Sequence, residues 1–508
     1  MMTKLQCGVL VSLLTSTTVF TVGCETEPTT TTSSSSSASS SSGDAGMGGM
    51  GTGGMGTGGT AGTGGTAGTG GTAGAGGAGG TAGTGGMGGA GGSGGSGGSG
   101  GGMALPDLDP SLTWYDQNRQ KLDVLIDEVG QNSATYDPTK KPVAIFDWDN
   151  TVIKNDIGDI MFFYQVKNDK IMQPPAKDWK ATSRYLTTAA ATALSAACDS
   201  LAAAGAPLPT STNATCADEI LAVYTKAQTK GGMAAFSGWN YRTMEPAYAW
   251  AAQLQAGYTL TELKGFADAA IDAALAAPDT GMGSTQTIGT TSVNAWLRIY
   301  DQIKNLIDVM QKNGLDVWII SASPQSDVEA FGARVNISAD HVIGIRSIAD
   351  ANNKLTYDFE GCGSIPNGSG NASMSPMGNS MITYIDGKRC WMNKVIYGVM
   401  GAAQENSNPD MTKHPVFGAG DSDTDISFLR EATKLKLAIN RNKKELMCNA
   451  YNNYMMTWLI NPMFIQPRAQ QTTAYPCSTT ACLDAAGMGT PCKDEGGMTI
   501  PDQMDTVF

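Results

Sequence analysis

The chain has 508 residues, 65 of them glycine, and 33 basic side chains against 46 acidic ones give it a formal charge of −13. That balance excludes a nucleic-acid surface, which needs a basic stripe. Only two histidines are present, His341 and His414. A multi-histidine metal site and most histidine-based triads therefore lack material, and any metal is expected to be a hard cation on oxygen ligands.

In chain order the first element is a leader. Lys4 precedes a mildly apolar stretch from Val9 to Phe20, and Thr21-Val22-Gly23-Cys24 resembles the site at which lipoproteins are cleaved and lipidated on cysteine. The stretch is too short and polar to span a bilayer, and no later apolar run is long enough. A membrane tie is therefore expected only through lipid at the N-terminus. The expected location is the bacterial envelope, on the periplasmic or cell-surface side of the outer membrane; ordinary secretion is the alternative. Residues 25–103 are Ser/Thr- and then Gly-rich, with repeats such as Gly56-Thr-Gly-Gly-Thr-Ala. Such a segment has no side chains for a core, so it is expected to be a disordered tether reaching ~50 Å root-mean-square.

Order is expected from about Leu105. Trp114 to Val129 carries apolar residues at helical intervals and stops at Gly130. Val143-Ala-Ile-Phe146 is a continuous apolar run, as a strand buried on both faces requires. Residues 156–294 are rich in Ala and Leu and predict mostly helix. Arg298 to Asn313 predicts an amphipathic helix, followed by strands at Val317–Ile320, Pro415–Ala419 and Leu435–Ile439. Strands alternating with helices predict a doubly wound, Rossmann-like α/β core with its chemistry at the C-terminal strand ends.

Polar steps occur where those strands end. Asp147 and Asp149 follow the first, Ser321-Ala322-Ser323 follows the second, and Gly420-Asp421-Ser-Asp-Thr-Asp425 follows the third. Lys394 supplies a cation before the third strand, and Lys388 in Asp386-Gly-Lys is its rival. Each piece alone has a bland origin in a solvated turn, a helix cap or a surface lysine. Eight cysteines beyond the leader, an even number in an exported chain, predict disulfides. Local pairing of Cys198 with Cys216 and of Cys362 with Cys390 is plausible, but sequence does not fix the connectivity.

The set Asp147-x-Asp149, Ser321, Lys394 and Gly420-Asp421-x-x-x-Asp425 resembles the four motifs of the haloacid dehalogenase superfamily, over about residues 142–442. Phe146-Asp-Trp-Asp-Asn-Thr, Gly257-Tyr-Thr-Leu-Thr-Glu-Leu-Lys-Gly, Ile319-Ile-Ser-Ala-Ser, His341-Val-Ile-Gly-Ile and Ile439-Asn-Arg are further similar to stretches of its exported phosphorylcholine phosphatases. Beside the leader (1–24), the linker (25–103) and a cysteine-containing extension (467–508), the chain is expected to hold a catalytic core (104–155 and 295–466) and, inserted in it, a helical cap (156–294).

The resemblance also implies roles. Asp147 would be the nucleophile, Asp149 the general acid and then base, and Lys394 the charge-neutralising cation. Mg²⁺ would sit on Asp147, the backbone carbonyl of Asp149 and Asp421, with Asp425 orienting a metal-bound water or backing up Asp421. Ser321 and the N–H groups of Ala322 and Thr151 would grip the phosphoryl oxygens. In the cap, Trp239, Tyr241, Glu245, Tyr248 and Trp250 fall within twelve residues. They are either a box for a cationic leaving group such as choline or simply cap core. The implied activity is Mg²⁺-dependent hydrolysis of small phosphate esters; the alternative is a catalytically silent surface lipoprotein that binds a ligand without turnover.

Overall fold

The computed structural model describes residues 105–278, 283–368 and 380–508. The expected leader, Cys24 and the glycine-rich tether lie outside these residues. The chain divides into two units between Asp44 and Ala45, and every described residue belongs to the second.

Six parallel strands carry the site: β1 Val143–Phe146, β2 Asp316–Pro324, β3 Val342–Ile345, β4 Phe417–Gly420, β5 Leu435–Asn440 and β6 Trp458–Pro462. Their order is β6-β5-β4-β1-β2-β3, with every pairing parallel. The chain steps from β1 to β3 in one direction and then restarts at β4 on the other side of β1. Such a switch point opens a crevice at the carboxyl ends of the strands. Register brings the polar steps to it, because Phe146 stands opposite both Ala419 and Ile319. Asp147, Ser321 and Asp421 therefore emerge at one rim. Ala144, Ile145 and Phe146 are wholly buried, which accounts for the unbroken apolar run of β1.

The helices are α1 Asn118–Val129, α2 Ile157–Lys167, α3 Thr188–Cys198, α4 Ala214–Lys226, α5 Pro246–Gln253, α6 Leu260–Ala276, α7 Asp301–Lys312, α8 Gln325–Gly332, α9 Asp386–Val395, α10 Ile426–Leu429 and α11 Lys444–Asn452. Between β1 and β2 the chain is largely helical, as expected, but it also forms an antiparallel hairpin, Thr285–Ile288 with Thr291–Asn294. Helix α6 starts at a capping box of Thr259 and Glu262. Its Leu263, Ala267 and Ile271 share a core with Ile157 of α2 and Phe331 of α8, so part of this segment packs against helices α2 and α8. Helix α7 begins at Asp301 rather than Arg298, because Arg298–Ile299 pairs with Ile153–Lys154 as a short strand. Strand β2 runs past Ile320 to Pro324 and takes Ser321 and Ser323 into its end.

All eight cysteines among the described residues are paired: Cys198–Cys216, Cys362–Cys390, Cys448–Cys477 and Cys482–Cys492. The first two are the expected local pairs. The C-terminal extension lies along the carboxyl end of β5, where Asn440 Nδ2 donates to Asp505 and to the Val507 carbonyl. Among the described residues no helix is long and apolar enough to cross a membrane.

Candidate active site

The turn after β1 is built around a buried tryptophan. Trp148 is fully buried and meets Phe331 of α8 edge-on at 5.3 Å, so Asp147 and Asp149 flank it at the rim. The Asp147 N–H donates to the Ala419 carbonyl at 2.9 Å, and Val152 N–H closes the turn onto the Trp148 carbonyl. Asn150 sits at φ +63°, a left-handed conformation that asparagine tolerates better than most residues.

Around Asp147 the partners are close and buried. Lys388 Nζ lies 2.6 Å from Asp147 Oδ1 and 2.6 Å from Asp425 Oδ1, and its side chain is completely buried. Thr151 Oγ1 donates to Asp147 Oδ2 at 3.0 Å and to Asp421 Oδ1 at 3.2 Å. Asp421 also accepts from the guanidinium of Arg441, just past β5. Asp425 curls back onto its own strand end, accepting the N–H groups of Asp421 and Ser422 at 3.0 Å each. Gly420 permits this, since a Cβ there would stand 2.6 Å from the Asp425 side chain. Burial, then the Asp425 carboxylate, push Asp147 well above the usual carboxylate range, and Lys388 opposes them. The two carboxylates keep Lys388 charged in spite of its burial.

Asp149 faces the other way. Its Oδ2 accepts from Ser323 Oγ at 2.7 Å and Ser321 Oγ at 3.1 Å, and its Oδ1 from the Ile157 N–H at the start of α2 at 2.7 Å. Burial, then the nearby Asp156 carboxylate, push it well above the usual range. The direction of this shift favours the protonated form, and the hydroxyl of either serine can turn to accept a hydrogen bond from it. Asp159 is pushed to about 8 by burial and then by Asp156, and Tyr224 Oη donates to it at 2.8 Å.

A metal can be weighed from the donors alone. Asp147, Asp421 and Asp425 each offer an oxygen within 4.8 Å of the others, all buried. Oxygen-only ligands of this kind fit a hard divalent cation, and the surplus of carboxylate that raises Asp147 is what such an ion offsets. The Asp149 carboxylate is outside this group because the two serines and α2 hold it; the ligand expected from Asp149 is its backbone carbonyl.

Lys394 is corrected by the structure. It lies six residues beyond Lys388 on α9, roughly 9 Å further along and ~240° around the helix. Its Nζ donates to the Gly361 carbonyl at 2.7 Å and sits 4.3 Å from the centre of the Trp391 ring. Lys388 takes the place expected of it. A cue was present in Asp386-Gly-Lys: a Cβ on Gly387 would stand 1.9 Å from the Ile382 carbonyl, so this turn is too tight for any other residue. Ser323, part of the polar step after the second strand, had no role assigned from sequence, although two-residue periodicity puts it on the same strand face as Ser321. Ala322 follows Ser321 half-buried, packed against the core.

On the other side of the crevice Glu245 caps α5, accepting the Ala247 N–H at 3.3 Å. Burial pushes its carboxyl up to about 7. Tyr241 and Tyr248 each meet the ring of Tyr384 edge-on at 6.1 Å. The neighbouring Thr383 hydroxyl donates to the Ser321 carbonyl, which ties this aromatic group to the end of β2. Trp250 is core, fully buried with its Nε1 on Thr182. Trp239 is half-buried against the core, and among the described residues it has no part in these ring contacts.

No protein family matches the chain, and no curated relative does. Among solved structures it is similar to a functionally unknown protein from Anaerococcus prevotii DSM 20548, at 20% identity and a TM-score of 0.47 over 66% of this chain and 88% of that one. It is similar to a protein of unknown function from Bordetella pertussis Tohama I, at 13% and 0.35 over 64% and 100%. It is also similar to a substrate-bound phosphoserine phosphatase complex, at 13% and 0.27 over 59% and 86%. Likenesses of this depth decide neither a family nor an activity.

Proposed function

We propose that the chain is an exported phosphomonoesterase of the haloacid dehalogenase type, hydrolysing small phosphate esters through an aspartyl-phosphate on Asp147. One observation carries the reading. A buried lysine holds Asp147, while a second carboxyl two residues on, Asp149, turns the other way onto the hydroxyls of Ser321 and Ser323.

A nucleophile and a general acid on opposite sides of one turn suit a two-step displacement. A carboxylate oxygen of Asp147 attacks phosphorus as the ester oxygen departs with the proton of Asp149. Asp149, now a carboxylate, then takes a proton from water, whose oxygen attacks the same phosphorus and releases phosphate from Asp147. Lys388 stays charged throughout and offsets negative charge shared between nucleophile and phosphoryl group. The hydroxyl of Ser321 and the N–H groups of Ala322 and Thr151 are the donors for phosphoryl oxygens. Mg²⁺ on Asp147 and Asp421, with Asp425 beside them, would supply further positive charge there.

Phosphocholine is the substrate we propose first. Glu245 with Tyr241, Tyr248 and Tyr384 offers a carboxylate among aromatic rings, which is the chemistry that holds a quaternary ammonium. The leader and glycine-rich spacer would place the enzyme outside the cytoplasm, tied to the membrane through Cys24. The test is hydrolysis of a panel of phosphate esters, phosphocholine included, with Mg²⁺ and with chelator. Turnover that needs Mg²⁺ and disappears in Asp147→Asn is expected; turnover unchanged in that variant would end the assignment of the nucleophile.

A further inference from the structure

The structure assigns Arg242 as a positioning residue that holds the phosphate side and the leaving-group side of the site in register. The inference rests on the phosphatase reading above. Arg242 touches none of the reacting groups, yet its guanidinium is committed in three directions. Nε and Nη2 fork onto the Asp386 carboxylate at 3.1 Å each. Nη1 lies 2.8 and 3.1 Å from the two Glu445 oxygens and 3.2 Å from the Leu483 carbonyl.

Each partner leads to a different piece of the site. Asp386 opens α9, whose third residue is Lys388, and its N–H also donates to the Arg242 carbonyl at 2.9 Å. Glu445 lies in α11, where the next N–H, of Leu446, donates to Asp423 at 2.8 Å inside the Asp421–Asp425 turn. Leu483 belongs to the C-terminal extension, beside the Cys482–Cys492 disulfide. Two residues on, the Ala485 carbonyl accepts the Tyr241 N–H at 2.9 Å. Arg242 itself stands between Tyr241 and Glu245.

The join between the two sides is strained. Ile385, between Tyr384 and Asp386, has φ +43°, a conformation that β-branched residues seldom adopt and that persists only where surroundings impose it. The fork on Asp386 holds the far end of that residue. Loss of the fork frees α9 to relax, and Lys388 and Tyr384 shift together. The extension, through Leu483 and Ala485, is thereby part of the site's frame.

The test measures kcat and KM on phosphocholine and on an aryl phosphate without an ammonium group. The proteins are the full-length wild type, Arg242→Lys and Asp386→Asn, each with its thermal unfolding midpoint. Lysine keeps the charge but cannot make the fork. In Arg242→Lys, kcat is expected to fall on both esters, by up to about a hundredfold, with KM rising more for phosphocholine than for the aryl ester. Asp386→Asn is expected to lower kcat on both while leaving the ratio of the two KM values near wild type, because Glu445 and Leu483 still hold the Tyr241–Glu245 segment. Should Arg242→Lys fail to fold, Asp386→Asn decides. Folded variants with wild-type kcat and KM, or with only a lowered midpoint, would overturn the inference while leaving the phosphatase reading intact. A wild type inert on both esters would refute that reading and take the inference with it.

Discussion

The rim that carries Asp147, Asp149 and Asp421 is assembled from turns that directly follow paired strands, whereas the side that carries Glu245 is assembled from a helix cap and a turn that no strand register aligns. In the first region the register of three adjacent strands fixes where the carboxylates emerge. In the second, Tyr384 comes from the turn before α9 and meets Tyr241 and Tyr248 from the segment around α5. A site of this kind can keep its reaction on the strand-end rim and vary its substrate through the other side. The two regions should accordingly fail in different ways when altered.

The largest expected effect is at Lys388. Lys388→Met should lower kcat on every ester by about a thousandfold and should leave Asp147 and Asp425 buried without their cation, destabilising the fold by ~3–5 kcal/mol at neutral pH. Denaturant unfolding should show part of that loss recovered on acidification, as the carboxyls protonate. Equal stability at all pH values would contradict the pairing.

Asp149→Asn comes next, with kcat on phosphocholine reduced about a hundredfold or more. The loss should be smaller on an aryl phosphate, whose leaving group needs less protonation. An equal loss on both would argue against a general acid.

Glu245→Gln should act on recognition alone, raising KM for phosphocholine about tenfold and leaving the aryl ester unchanged. Burial lifts this carboxyl from 4.5 to about 7, so the carboxylate forms as pH rises through about 7 and KM for phosphocholine should fall over that window. The stability effect has the opposite sense. A carboxyl whose folded pKa is raised loses stability as pH climbs from its unfolded value through the folded one, here by up to about 3 kcal/mol. Glu245→Gln should therefore unfold later than wild type at pH 8 but not at pH 4, which a pair of thermal melts would check.

The smallest effect is expected at Lys394. Lys394→Met removes a partly exposed contact with the Gly361 carbonyl and should change stability by no more than ~0.5 kcal/mol, with kcat untouched. A large loss of turnover there would break the assignment of Lys388.

The same contrast governs what the sequence revealed. Asp147, Ser321 and Asp421 were legible because buried parallel strands are unbroken apolar runs, and a polar residue at the end of such a run marks the rim. Three of the sheet's strands were found this way beside β1, while Val342–Ile345 and Trp458–Pro462 were not singled out as strands. Choosing between Lys388 and Lys394 required knowing which turn of α9 faces Asp147, and a lysine pattern carries no such direction. Arg441 lies in the Ile439-Asn-Arg stretch but had no role assigned from sequence, and Arg242 acts through partners over 100 residues away, with nothing local to distinguish it from a surface arginine. The tyrosines of the leaving-group side had helical spacing in common with Trp250, which turned out to be core. The disulfides followed sequence proximity in the two pairs expected, and each of the other two pairs also closes a short loop.

The central claim is that phosphate passes through Asp147. The most direct measurement is acid quenching during turnover of phosphocholine or an aryl phosphate, followed by mass spectrometry of the peptide spanning β1 and Asp149. A phosphoryl adduct on Asp147 that is absent from Asp147→Asn is the expected result. Steady turnover with no adduct on that peptide, or an adduct on another residue, would contradict the account.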